Sequence, residues 1–219
     1  WPQTIGGHKY RVRSAQNVAD EMAYLTKLFP EVKEYFFDDD TFTANLPRAR
    51  EIAKKISPLG LTWSCNSRAN LDYDNIKLFK DNGLRLFLVG YESGNDDTLT
   101  RIKKGVTTDE MRRFTKACHQ AGVLIHGTFI LGLPVETPKT IQQTIDFAKE
   151  LDVFSIQVSL AAPYAGTELY EQAKLNGWFA KKEKTDLLGD VGYQSSTIEY
   201  PGLSKEKIFE EVERFYRTY

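Results

Sequence analysis

Charged and glycine-rich residues follow short apolar runs of the chain, and these groups are the ones that could carry chemistry. Asp38-Asp39-Asp40 follows an aromatic run. Arg68 lies just after a second apolar run, and Glu92-Ser93-Gly94 follows a third. A turn at Gly132-Leu133-Pro134 and the segment 161–166 follow two further runs. Carboxylates accept hydrogen bonds from ammonium groups and ribose hydroxyls, arginine binds carboxylates, and glycine lets the backbone approach a flat base. The set suits a zwitterionic ligand that carries a ribose.

Each of these groups also has a purely structural interpretation. The acids Asp38-Asp39-Asp40 could begin a turn and cap the helix that follows it. Arg68 could pair with Asp72 or Asp74, and Glu92 could be a solvated loop acid. On the residues alone, both interpretations stay open.

The elements that position these groups alternate along the chain. Short apolar runs predict strands, and longer segments with helical spacing predict helices between them. Buried strands joined by helices are typical of a parallel sheet, whose ligands bind at the carboxyl ends of the strands. We therefore expect an α/β fold with the charged groups on one edge of the sheet. The predicted strands are 35–38, 62–66, 85–90, 125–131 and 155–160.

Composition limits the class of protein. The chain has 219 residues, of which 41% are hydrophobic and 27% charged, as is ordinary for a globular domain. Its net charge of −1 provides no attraction for nucleic acid or for an anionic membrane surface, and no apolar run is long enough to cross a bilayer. The two cysteines, Cys65 and Cys118, do not make a disulfide framework, so we expect a reducing, cytoplasmic setting. Neither these thiols nor the three histidines have the spacing of a metal site.

Five segments, taken in order, resemble the core of the B12-binding type of radical S-adenosylmethionine (SAM) proteins. Their order and spacing together are specific, and the resemblance covers residues 1 to about 177. The opening residues 1–11, WPQTIGGHKYR, are similar in particular to radical SAM enzymes associated with hopanoid biosynthesis. The five segments are 37–42 (FDDDTF), 90–94 (GYESG), 102–105 (IKKG), 129–137 (FILGLPVET) and 163–169 (PYAGTEL).

The resemblance implies a partial (β/α)6 barrel of the TIM-like radical SAM type, truncated before its first strand. The radical SAM core would span residues 1–178, and residues 179–219 would be a C-terminal extension with a final helix. The family's CxxxCxxC loop, which holds a 4Fe–4S cluster, would precede Trp1. The full-length protein would then use SAM and the cluster, with cobalamin as a further cofactor where the family's N-terminal domain is present. This fragment would bind none of them.

Residue by residue, the resemblance implies positions that contact SAM, and it places no catalytic residue or metal ligand in the chain. Asp39 and Asp40 match the position near the SAM amino group. Arg68 matches the position near the methionine carboxylate, and Glu92 matches the ribose position. The backbone of 128–132 matches the adenine-facing strand, and Leu160 matches an apolar residue that contacts SAM. The complete set is Asp39, Asp40, Arg68, Glu92, Thr128, Ile130, Gly132 and Leu160.

The chain departs from the family pattern at three places. Val135 stands where glycine is usual and Ala165 where proline is usual, which affects local loop shape more than the identity of the cofactor. The larger departure is the missing cysteine loop, since Cys65 and Cys118 cannot replace three clustered thiolates.

The implied function is reductive cleavage of SAM followed by hydrogen abstraction from a small-molecule or lipid substrate, such as the side chain of a hopanoid. The implied partners are an electron donor such as flavodoxin or ferredoxin and, for a lipid substrate, peripheral contact with a membrane. No nucleic-acid partner is expected. Without its cysteine loop, the fragment itself is expected to be inactive.

Two other functions stay open on the residues alone. A TIM-like lyase or aldolase would need a Schiff-base lysine or a set of metal ligands. The nearest lysines, Lys103 and Lys104, are predicted to lie on a helix. A non-catalytic binding domain is the second alternative.

Overall fold

A computed structural model describes residues 11–180 and 197–219, in which five strands form one parallel sheet. The order of strands in the sheet follows the chain, with β1 and β5 at the two edges. The predicted parallel α/β architecture is confirmed. The opening segment 1–10 and the polar segment 181–196 lie outside the described residues. The strands are β1 Tyr35–Phe37, β2 Trp63–Ser67, β3 Leu84–Glu92, β4 Leu124–Leu131 and β5 Ser155–Leu160.

Helices connect the strands, and their ends follow from the capping residues. Thr107 and Glu110 form the predicted capping box, and Thr137 caps a helix that begins at Pro138. No helix in these described ranges is long and apolar enough to span a membrane. The helices are α1 Ala15–Leu28, α2 Leu46–Ile56, α3 Tyr73–Asp81, α4 Asp96–Arg101, α5 Thr108–Ala121, α6 Pro138–Leu151, α7 Glu168–Asn176 and α8 Lys205–Thr218.

The two faces of the sheet differ because successive side chains of a strand point to opposite sides. In β4 the buried residues alternate strictly with half-buried ones. The buried residues face the helices and form the core. The opposite face, called the inner face below, carries half-buried positions and the exposed Gln157, and in β4 and β5 it is largely polar. Its residues on these two strands are Leu124, His126, Thr128, Ile130, Ser155, Gln157 and Ser159.

Aromatic rings run through the core beneath the first three strands. Trp63 of β2 packs edge-on against Phe79 of α3, with ring centroids 6.0 Å apart. Phe79 in turn meets Phe87 of β3 at 6.3 Å, and Phe87 meets Phe114 of α5 at 5.9 Å. All four side chains are fully buried. Such contacts add to the free energy of apolar burial and fix α3 and α5 against β2 and β3.

Helix α8 covers the outer edge of β5. The Tyr216 hydroxyl accepts a hydrogen bond from the Val158 N–H at 2.7 Å and donates one to the Val158 carbonyl at 3.3 Å. The buried Phe215 ring packs against Phe129 of β4 with centroids 5.4 Å apart. The helix therefore satisfies backbone groups that an edge strand would otherwise expose.

Replacing Phe215 with alanine should lower the free energy of unfolding by about 3–5 kcal/mol, because the change removes a fully buried ring and leaves a cavity. The matched control is Phe209→Ala on the same helix. This ring is 41% exposed, so the unfolding free energy should fall by about 0.5 kcal/mol. Urea unfolding followed by circular dichroism measures both. Equal losses would show that α8 does not pack on the sheet as described.

Candidate functional site

Glu92 is the last residue of β3, and its backbone adopts the left-handed region with φ of 66°. A non-glycine residue in this region costs of order 1 kcal/mol and persists when its surroundings hold it there. The carboxylate turns onto Lys104, with Oε1 accepting a hydrogen bond from Nζ at 2.8 Å. Only 17% of the Glu92 side chain and 19% of the Lys104 side chain are exposed. The interpretation of Glu92 as a solvated loop acid is therefore wrong.

The space for this ion pair depends on Gly90. A Cβ atom at residue 90 would lie 2.3 Å from Glu92 Oε1 and 3.0 Å from Lys104 Nζ. The first distance is shorter than any normal contact, so a side chain here would displace the carboxylate. Gly90 is also the neighbour of Thr128 in the β3–β4 register. The Glu92–Lys104 pair thus lies above the inner face, at the carboxyl edge of the sheet.

Arg68 reaches the same pair from the next strand. Its exposed side chain follows β2, and its guanidinium donates a hydrogen bond to the Lys104 carbonyl oxygen. The acid Asp72, one of its expected alternative partners, instead accepts from the backbone N–H of Asn75 as the N-cap of α3. The structure therefore brings Arg68 and Glu92 together at Lys104.

The acids after β1 are linked to β2 through a backbone carbonyl. Their side chains are exposed, and the Asp39 carbonyl accepts a hydrogen bond from the Asn66 side chain at 2.9 Å. The interpretation of these acids as a helix cap is wrong, because Asn45 caps α2 by accepting from the Arg48 N–H. Asp39 and Asp40 are exposed at the carboxyl end of β1.

The remaining predicted positions lie on the last two strands. Thr128 and Ile130 are half-buried on the inner face. Gly132 is buried in the turn after β4 with φ of 80°. Leu160 lies opposite Leu131 in the β4–β5 register and is buried in the core. Thr128 and Ile130 thus border the inner face, whereas Leu160 packs on the helix-facing side. A Cβ atom at Gly132 would meet Ile208 of α8 at 3.2 Å.

Glu136, in the turn after β4, is a buried carboxyl with 4% of the residue exposed. Its Oε2 accepts from the backbone N–H groups of Gly132 at 2.7 Å and Leu133 at 2.9 Å, while no described residue donates to Oε1. Burial raises the pKa of this carboxyl to about 7, although the two N–H groups act to lower it. The Tyr200 hydroxyl donates to the Gly132 carbonyl at 2.8 Å, so the C-terminal segment closes over this turn.

The thiols of the chain do not fit an iron–sulfur cluster. Cys65 and Cys118 are fully buried at separate places in the core. Burial raises the pKa of both thiols, and the nearby Asp39 carboxylate raises that of Cys65 further. Cluster ligation needs thiolates. Over 11–180 and 197–219, no group of three or more His, Cys, Asp or Glu residues could hold a metal ion.

Sequence reasoning missed two residues of this site. Lys104 was expected on a helix, but α4 ends at Arg101 and the lysine lies in the turn beyond it. The signal was present in the Gly105 that follows, because a glycine after a helical stretch is typical of its C-terminal turn. Glu136 was visible only as part of a turn motif, and Tyr200, which covers this turn, is far away in the sequence.

Comparison with known proteins points to one family. Residues 2–148 match the Radical SAM superfamily. The chain is 36% identical over 173 residues to an uncharacterized methyltransferase of Pyrococcus horikoshii, a match that covers 78% of the chain and 38% of that protein. It is 28% identical to the cytidylyl-2-hydroxyethylphosphonate methyltransferase of Streptomyces wedmorensis, over 97% of the chain and 41% of that protein. The chain thus spans about two fifths of the length of these curated relatives.

Among solved structures, the fold is similar to the radical SAM methyltransferase TsrM from Kitasatospora setae, determined with cobalamin and a 4Fe–4S cluster bound. The TM-score is 0.74 at 18% identity, and the match covers 94% of this chain and 46% of that one. At this identity the likeness shows the fold alone. It confirms the predicted partial TIM-like barrel.

The raised pKa of Glu136 gives a pH-dependent stability. Between its ordinary value of 4.5 and its folded value of about 7, the folded protein holds a proton that the unfolded chain has lost, so stability falls as pH rises through this window. Glu136→Gln removes the dependence, because the amide oxygen still accepts both N–H groups and does not titrate. From about pH 4.5 to 7.5, the unfolding free energy of the variant minus that of the wild type should therefore increase by about 3 kcal/mol.

Urea unfolding at a series of pH values measures this difference. The cost of burying the glutamine NH2 group is the same at every pH, so only the slope is informative. Glu171→Gln, at an exposed position on α7, is the control and should give no slope. A Glu136→Gln difference that does not change with pH would contradict the burial of an ionisable carboxyl.

Proposed function

Since the chain belongs to the Radical SAM superfamily, we propose that it forms the SAM-binding core of a larger, cobalamin-dependent radical SAM methyltransferase. The observation that carries the proposal is the meeting of Arg68 and Glu92, from neighbouring strands, at Lys104 on the carboxyl edge of the sheet. Both curated relatives named above are methyltransferases, and the similar TsrM structure holds cobalamin and a 4Fe–4S cluster. These names support methyl transfer as the reaction class.

The chain's own residues would bind and orient SAM. Glu92 Oε1 is taken by Lys104, which leaves Oε2 to accept hydrogen bonds from the ribose hydroxyls. The Arg68 guanidinium has further N–H groups for the methionine carboxylate, and Asp39 or Asp40 would accept from the amino group. The backbone from Thr128 to Gly132, together with Ile130, would border the adenine. Charge-assisted bonds of this kind are the stronger class of hydrogen bonds.

The iron–sulfur cluster would be held outside the described residues, because neither buried thiol can serve it. When bound to a reduced cluster, SAM supplies the carbon-centred radical on which this chemistry depends. The contribution of the present chain would be to hold SAM at the carboxyl edge of the sheet. Cobalamin would be bound by a separate part of the full-length protein.

The substrate proposed here is a small molecule or lipid, with the polar side chain of a hopanoid as the specific candidate because of the opening segment 1–11. Hydrogen abstraction from such a side chain would be the step that prepares it for modification. A cytoplasmic flavodoxin or ferredoxin would supply the electron, and a lipid substrate would bring the protein to a membrane surface. The net charge of −1 gives no reason to propose a nucleic-acid partner.

The lyase or aldolase alternative is less well supported by the geometry. A Schiff-base lysine must present a free amine to its substrate, whereas Lys104 Nζ is held 2.8 Å from Glu92. Lys103 is turned away from this pair and forms an exposed ion pair with Glu168. The expectation that both lysines lie on a helix is wrong, since α4 ends at Arg101.

The first test uses the full-length protein with its cysteine loop, reconstituted anaerobically with iron, sulfide and cobalamin. It should turn brown and, with a reductant, cleave SAM, and label from methyl-deuterated SAM should reach the product when substrate is supplied. Glu92→Ala should raise the KM for SAM by about tenfold to a hundredfold, the loss of one or two charge-assisted hydrogen bonds. Glu171→Ala, exposed on α7, is the matched control and should leave the KM unchanged.

The second test uses the present chain alone. It should be colourless after the same reconstitution and form no 5′-deoxyadenosine, because the cluster would have no thiolate ligands. Iron content, visible absorbance and product analysis measure this. SAM cleavage by the 219-residue chain, or a full-length protein that takes up no cluster, would overturn the proposal.

A further inference from the structure

A left-handed turn after α4 places Lys104 over the carboxyl edge of the sheet. Lys103 has φ of 56° and Gly105 has φ of 67°, so the chain reverses tightly on both sides of Lys104. The amide groups of Lys103 and Lys104 donate back to the carbonyl oxygens of Thr100 and Leu99, each at 3.0 Å. The turn is therefore fixed to the end of α4, and the position of Lys104 is set by its backbone.

Lys104 contacts both of the residues that would grip the ends of SAM. Its ammonium group lies 2.8 Å from Glu92 Oε1, and its carbonyl oxygen accepts a hydrogen bond from Arg68. Glycines clear the space on either side. A Cβ atom at Gly90 would lie 3.0 Å from Lys104 Nζ, and one at Gly105 would lie 3.3 Å from Arg68 Nη2. One residue thus links the end of β2 to the end of β3.

The neighbouring lysine shows that this arrangement is specific to residue 104. Lys103 pairs with Glu168 at 2.6 Å, but the two side chains are 72% and 62% exposed. Such a pair is screened by water and contributes little. The Glu92–Lys104 pair is less than one fifth exposed, so its members are held with less competition from solvent. The chain offers two adjacent lysines, each paired with a glutamate, that differ mainly in burial and in what they contact.

We propose that Lys104 is a positioning residue of the SAM site. Its ammonium group holds the carboxylate of Glu92, whose backbone is left-handed, and its backbone carbonyl anchors the Arg68 guanidinium. The inference rests on the proposed function, since it assigns Glu92 to the ribose of SAM. Lys104 itself need not touch the ligand. Its ammonium group fixes one carboxylate oxygen of Glu92, so that the other points to where the ribose hydroxyls would lie.

The test compares Lys104→Met, Lys104→Arg and Lys103→Met in the full-length, cluster-loaded protein. Equilibrium dialysis with S-adenosylhomocysteine measures binding without turnover, and SAM cleavage gives KM and kcat. Lys104→Met should raise the dissociation constant and the KM by about tenfold, with kcat and the cluster absorbance changed by less than about twofold. Lys104→Arg should recover most of the affinity, because it keeps a cation beside the Glu92 carboxylate; the backbone carbonyl that Arg68 contacts is present in all three variants. Lys103→Met should bind as the wild type does.

A double-mutant cycle with Glu92→Gln separates positioning from a general loss of structure. If Lys104 acts through Glu92, Lys104→Met should change affinity by less than about twofold once Glu92 is glutamine. An undiminished effect in that background, or a Lys104→Met protein that binds like Lys103→Met, overturns the inference while the proposed function stands. A wild-type protein that neither binds S-adenosylhomocysteine nor cleaves SAM overturns both. Should Lys104→Met fail to fold, Lys104→Arg and the Glu92→Gln background decide the question.

Discussion

The parallel pairing of β2, β3 and β4 is the constraint on which the rest of the structure depends. Each strand must be re-entered from the same end, so a helix fills every crossover and all strands finish on one edge. Residues that are distant in the sequence, such as Arg68 and Glu92, are thereby brought to the same place. The helices bury one face of the sheet. The inner face and the carboxyl edge are what remains for binding.

Two carboxyl groups at this edge, those of Glu92 and Glu136, have different surroundings. Glu92 has a cation beside it and partial access to water. Within the described residues, Glu136 has two backbone N–H donors and a tyrosine that covers its turn, and burial raises the pKa of its carboxyl to about 7. A cation at 2.8 Å stabilises a charge that two peptide dipoles in an apolar setting do not fully support. The first carboxyl is suited to accept hydrogen bonds from a ligand, while the second organises a turn.

Most of the fold could be predicted from the sequence, because strands and helices here obey local patterns. The apolar runs, the Thr107 capping box and the glycine turns each depend on a few neighbouring residues, and the structure confirms them. The site was less predictable because it depends on pairs. Where Arg68 points and what covers Glu136 are decided between elements far apart in the chain. A sequence without aligned relatives contains no direct signal for such pairs.

The contact between Tyr216 and Val158 affects the edge at which the sheet could gain a further strand. The hydroxyl occupies both the donor and the acceptor of Val158 and so blocks the pairing of an incoming strand at this residue. In the ranges that the structure describes, the opposite edge is the three-residue strand β1, which pairs on one side with β2. Any further strand, whether from the same polypeptide or from another molecule, would therefore join beside β1.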